Sequence, residues 1–94
     1  MSIDEKIDEI EQSIKTLNMI LDLRQNLIKL RQALDNVITY GNSLGVYECN
    51  MGQIVFPGEY IQDYVRESLA PYVDNKIEEI DRLIENLDIK GVND

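Results

Sequence analysis

Ninety-four residues make one domain that buries only roughly 60–65% of its unfolded surface, too little for a large enclosed active site and enough to make burial against another copy valuable. With 9 basic and 18 acidic residues the formal charge is −9, which opposes long-range attraction to nucleic acid or an anionic membrane. Histidine is absent from the sequence, so Ser-His, Cys-His and histidine-metal arrangements are excluded.

The chain opens on Ser2-Ile3-Asp4-Glu5, the capping-box spacing in which a hydroxyl and a carboxylate satisfy free N–H groups at a helix start. No Pro or Gly follows until Gly41, so the pattern predicts one helix over about 3–40. Ile3, Ile7, Ile10, Ile14, Leu17 and Leu21 repeat at 4-3-4-3 spacing; Ile20, Leu23, Leu27, Leu30, Leu34 and Val37 continue on another line. The two sets centre about 150° apart around the helix. A helix with two apolar faces needs two partners, one expected from another subunit. At about 1.5 Å per residue it would be ~57 Å long, so it is expected either to be a straight rod or to bend near Asn18.

From Gly45 to Phe56, β-branched and aromatic residues surround Asn50-Met51-Gly52, which predicts a β-hairpin over about 45–56. Pro57-Gly58 ends it. A helix over about 59–69 places Ile61, Tyr64, Val65 and Leu69 on one side. Pro71 then requires a kink, or a fresh helix with proline at its first position. The segment 71–88 carries Val73, Ile77, Ile80, Leu83, Ile84 and Leu87 on one face, and residues 89–94 form a tail. The expected fold is mainly α: a single 1–94 domain in which a long helix, a short hairpin and a kinked return helix form an antiparallel helical hairpin or coiled coil. Ile3 to Leu21 are expected to meet Val73 to Leu87, leaving Leu23 to Val37 for Ile61 to Leu69 and the hairpin.

Signals for catalysis are scarce. Carboxylate pairs such as Asp4/Asp8, Glu5/Glu9 and Asp81/Glu85 fit a solvated helix face. The glycines at 41, 45, 52 and 58 fall at turns with no phosphate-loop ending. Cys49 is alone, so no intrachain disulfide can form; without a histidine to activate it, it reads as a small buried or half-buried apolar residue. No catalytic residue, metal site or cofactor is expected. With no apolar run of membrane-spanning length and an acidic start, the chain is expected in the cytoplasm.

Two distributions point to binding instead. All the aromatic residues (Tyr40, Tyr47, Phe56, Tyr60, Tyr64 and Tyr72) lie between residues 40 and 72, as half-buried packing or as a recognition surface. Charge is also partitioned: residues 1–12 sum to −4, 13–39 to +2, 40–73 to −3 and 74–94 to −4. In the basic zone Arg24 and Arg31 lie seven apart on an otherwise apolar line. Either they pair with carboxylates, Asp35 or a partner's acid among them, or several copies bring them together with tyrosines around a nucleotide-like anion. The candidate contact residues are Arg24, Arg31, Tyr47, Tyr60, Tyr64 and Arg66.

In size, acidity, isoleucine content and helix-hairpin-helix layout the chain resembles the small accessory proteins that phages and other mobile elements encode. The resemblance implies a stoichiometric, non-enzymatic, homo-oligomeric anti-defence factor acting in the host cytoplasm by sequestering a nucleotide-like signal or a host protein. The alternatives are an acidic mimic of nucleic acid that inhibits a host protein, and a structural assembly subunit. Direct binding to nucleic acid or membrane is not expected.

Overall fold

The computed structural model describes residues 2–87. In chain order these form helix α1 (Ile3–Tyr40), strands β1 (Leu44–Glu48) and β2 (Gly52–Phe56), helix α2 (Gly58–Tyr64), a π-helical turn (Val65–Leu69) and helix α3 (Ala70–Glu85). The fold is mainly helical, with the return helix packed against the first.

Helix α1 starts where the capping box places it: Ser2 Oγ accepts from the Glu5 N–H at 3.2 Å. Gly41 ends it in the left-handed region, at φ 69°, where glycine carries no Cβ penalty. The Gly41 N–H donates to Val37 O at 2.9 Å. Gln62 Nε2 reaches across from α2 to donate to Ile38 O at 2.7 Å, a carbonyl of the last helical turn, and adds a longer bond to Val37 O at 3.3 Å. Between its caps the helix is one rod, since the 59 Å long axis of the molecule matches the ~57 Å of a straight 38-residue helix. The radius of gyration, 18.5 Å, far exceeds the ~12 Å of a compact chain this size.

The strands pair antiparallel from Leu44↔Phe56 to Glu48↔Gly52. A three-residue loop closes them, with Gly52 at φ 76° in the position such loops give to glycine. Glu48 Oε2 accepts from the Asn50 and Met51 N–H groups, both at 2.8 Å, and holds that loop in shape. At its base the hairpin is held by a backbone crossing: a Cβ on buried Gly58 would lie 2.1 Å from the carbonyl oxygens of both Gly41 and Asn42. Only glycine lets α2 begin against the end of α1 there.

From Ile61 the face turned toward α1 and the hairpin uses Ile61, Val65, Leu69 and Val73, three successive steps of four residues. In an α-helix those steps would drift by about 120°. The π turn removes the drift, because its bonds close to the fifth residue, as in Ala70 N–H to Val65 O, and each turn takes in more chain. It also gives Pro71, the second residue of α3, room for a ring that would otherwise press on the preceding turn of an ordinary helix. The expected kink or fresh start is thus a widened turn in an unbroken helical path.

Two ion pairs mark the register of α1 against α3: Arg24 Nε to Asp81 Oδ1 at 2.6 Å and Arg31 Nε to Asp74 Oδ1 at 2.8 Å. Both partners step by seven in opposite directions. The buried core is small, formed by Leu34, Val37, Leu44, Val65, Ala70 and Val73, with Leu27, Ala33, Ile38, Ile61, Leu69 and Ile77 packed around it.

This register corrects the expected packing. Val73 meets the neighbourhood of Leu34, not the first turns of α1, and the end of α3 at Glu85 falls level with about Ile20. Leu34 and Val37 do meet the second helical segment, whereas Leu23 and Leu30 remain exposed. The expected helical stretch 71–88 stops at Glu85, where Asn86 Nδ2 donates to Arg82 O at 2.9 Å. The expected tail, 89–94, lies outside the described residues.

Candidate functional site

The hairpin presents one face toward the return helix: Leu44, Val46, Ile54 and Phe56, which the register places on the same side of the strands. Leu44 is buried, while Val46 and Phe56 are both more than 40% exposed. The sheet therefore leans away from the helix beyond its first residue and leaves a wedge. That wedge is a groove of about 230 Å³ lined by Leu44, Val46, Phe56, Ile61, Tyr64, Val65 and Leu69. The floor, Leu44 and Val65, belongs to the core; the walls are strand and helix. Its lining surface is wholly apolar.

An engineered apolar cavity of about 150 Å³ takes up benzene, so this groove has room for a large apolar side chain. Both strands are also edge strands among the described residues, which leaves outward N–H and C=O groups beside the groove for an added strand. The arrangement favours shape and apolar contact over charge.

A second unfilled surface runs along the first half of α1. Ile3 (78% exposed), Ile7, Ile14 and Leu21 (each more than 40%) form a stripe with half-buried Ile10 and Leu17. Most of it lies beyond the reach of α3. The residues of α1 that do face α3, Ile20, Arg24, Leu27, Arg31 and Leu34, keep 4-3 spacing on a neighbouring line.

The structure separates the candidate contact residues. Arg24 is held by Asp81, and Arg31 by Asp74 and Asp35. Asp74 above all holds the Arg31 guanidinium pKa above its ordinary value, against an opposing desolvation. Arg66 pairs with Asp63 at 2.9 Å. Asp74, the anchor of Arg31, is ten residues along the return helix from Tyr64, about 15 Å of helical rise. One copy therefore does not bring Arg24 and Arg31 together with Tyr64 in a common site.

Tyr47, Tyr60 and Tyr64 are exposed, as are Tyr40 and Tyr72, so the tyrosines between residues 40 and 72 are surface, not core. Lys76 lies 5.3 Å from the centroid of the Tyr72 ring, and its pKa is raised chiefly by Glu79. Cys49, expected to be at least half-buried, is exposed on the hairpin loop, because the three loop residues project past the last strand pair. Sequence patterning did not reveal the groove, since it arises from the lean of one element against another. Its signal was the coincidence of Val46 and Phe56 on one strand face with Ile61, Tyr64 and Val65 on one helix side.

Among the described residues no group of three His, Cys, Asp or Glu side chains is placed to hold a metal ion, and no helix is long and apolar enough to cross a membrane. Compared with protein families, curated proteins and solved structures, the chain matches none.

Proposed function

We propose that this protein is a non-enzymatic, self-associating binding factor that sequesters a host protein stoichiometrically, in the manner of phage-type anti-defence accessories. The observation that carries this reading is the apolar groove between hairpin and return helix, open in the single chain and lined by the exposed Tyr64 on its helical wall. An apolar side chain from a partner's strand or helix would fill it, with the Tyr64 ring packing over the contact. Sequestration of a nucleotide-like signal is the weaker form of the reading, because Arg24 and Arg31 are already engaged by carboxylates of the same chain.

The test is affinity capture from a bacterial host lysate by the wild-type chain and by Val46→Lys and Phe56→Ser, whose side chains lie in the groove and outside the buried core. A host protein retained at fixed stoichiometry by wild type and lost from both variants, with their far-ultraviolet dichroism unchanged, is the expected result. Equal retention by the groove variants would refute the assignment of the surface. Calorimetric uptake of a nucleotide by the purified protein would replace it with the ligand-binding form.

A further inference from the structure

The self-association in that reading acquires a geometry from the exposed stripe on α1. The ion pairs Arg24–Asp81 and Arg31–Asp74 continue in step to place Glu85, the last residue of α3, level with Ile20. Residues 3–19 of α1 thus extend roughly 25 Å past α3. Most helical stability in proteins comes from packing an amphipathic face, and this extension carries a contiguous exposed isoleucine stripe that nothing in the described chain covers, an arrangement that marks an interaction surface.

The stripe itself indicates what covers it. Ile3, Ile7, Ile10, Ile14, Leu17 and Leu21 are spaced 4-3-4-3-4, a pattern that reads the same in both directions. Turned end over end about Gln12, it superimposes on itself. Charge selects that orientation: residues 1–12 sum to −4, so a parallel, in-register pair would set two strongly acidic segments side by side. The reversed pair sets them against residues 12–23, which carry only Lys15 and Asp22 and sum to zero. It also opposes the two helix dipoles instead of joining their positive ends. Length agrees as well, since the overlap ends at Leu21, where α3 begins to cover its partner.

We propose that two copies of this chain pair antiparallel through the N-terminal halves of α1, about a two-fold axis at Gln12, with Ile3 facing the partner subunit's Leu21, Ile7 the partner subunit's Leu17 and Ile10 the partner subunit's Ile14. Such an isologous contact closes on itself, and the seam packs as an antiparallel coiled coil. Each hairpin groove then lies at an opposite end of a rod, and the dimer is bivalent for whatever fills the grooves.

Sedimentation velocity at about 100 μM should give a dimer for the wild-type chain and a monomer for Ile14→Asp. The variant should retain the cooperative melting of the Leu34 core while losing helical ellipticity from the first half of α1. Orientation is read by disulfide trapping in a Cys49→Ser background. Ile3→Cys and Leu21→Cys chains should cross-link when mixed and not when oxidised separately, because like residues sit about 27 Å apart along the axis. Efficient cross-linking of Ile3→Cys with itself would overturn the antiparallel register while leaving self-association standing. A wild-type monomer at this concentration would overturn both. Dimerisation that appears only after removal of residues 88–94 would show that those residues cover the stripe, and would equally overturn the proposal. Groove capture is read separately, since Ile14→Asp leaves the hairpin end intact.

Discussion

Replacing Gly58 with alanine sets two physical effects against each other, and the sign of the result decides between them. Gly58 is the first residue of α2 and its φ is not left-handed, so helix propensity and unfolded-state entropy alone would make alanine stabilising by about 0.4–1 kcal/mol. The close approach says the reverse. The added Cβ would stand 2.1 Å from the Gly41 and Asn42 oxygens and 2.5 Å from the Asn42 carbonyl carbon. Even short carbon-oxygen contacts are about 3.3 Å, so α2 and the end of α1 must separate by more than ~1 Å.

The obstructing atoms are backbone, already fixed by the left-handed cap at Gly41, and cannot swing aside. Overpacking of this kind costs about 1–3 kcal/mol, and with backbone on both sides we expect ~2–3 kcal/mol. At roughly 4–8 °C per kcal/mol for a domain of this size, the melting temperature of Gly58→Ala should fall by about 8–24 °C in a dichroism melt. Gly45→Ala is the control. Its Cβ would meet only the Gln53 side chain, which can turn toward solvent, so it should stay within about 0.5 kcal/mol of wild type. A Gly58→Ala protein as stable as wild type, or more so, would refute the crossing as the point that fixes the hairpin on the helices.

Three further outcomes follow from the packing. Leu34 is 0% exposed at the centre of the core, so Leu34→Ala should cost about 2–5 kcal/mol in urea denaturation; a loss below 1 kcal/mol would mean that the core is centred elsewhere. A double-mutant cycle on Arg24 and Asp81, both half-buried, should give a coupling of only about 0.2–1 kcal/mol that weakens with salt, and zero coupling at low salt would refute a direct contact between the two side chains. Cys49, exposed on the loop, should react completely with a thiol reagent in the native protein, whereas reaction only on unfolding would contradict the loop geometry.

The ends of the elements were legible because short-range chemistry sets them: the Ser2 and Glu5 pairing, the glycine after Tyr40, and the Gly52 turn each act within a few residues. The pairing of α1 with α3 was not. A heptad pattern repeats every seven residues, and a slide by one heptad would set Arg24 against Asp74 and Arg31 against Glu67, again opposite charges. What selects the observed register is the Gly58 crossing, which starts the return helix level with the end of α1 while the hairpin projects to the side. That contact spans sixteen or seventeen residues and left no periodic trace. The candidate site was legible only in part: the aromatic cluster was visible, but its exposure depended on the lean of the hairpin, and Asp74 and Asp81, the carboxylates across from Arg31 and Arg24, were unforeseen because the register that brings them there was.

The π turn sets the phase of the return helix. One unit of chain length at Val65–Leu69 determines the rotation between the half that lines the groove and the half that clamps α1. Deleting a residue there would convert the turn to ordinary helix and swing Ile61 and Tyr64 by about 100° relative to Val73 and Ile77, taking Ile61 out of contact with the core and working against the close approach at Gly58. The extra residue is thus the hinge-pin that allows groove wall and clamp to share a single interior.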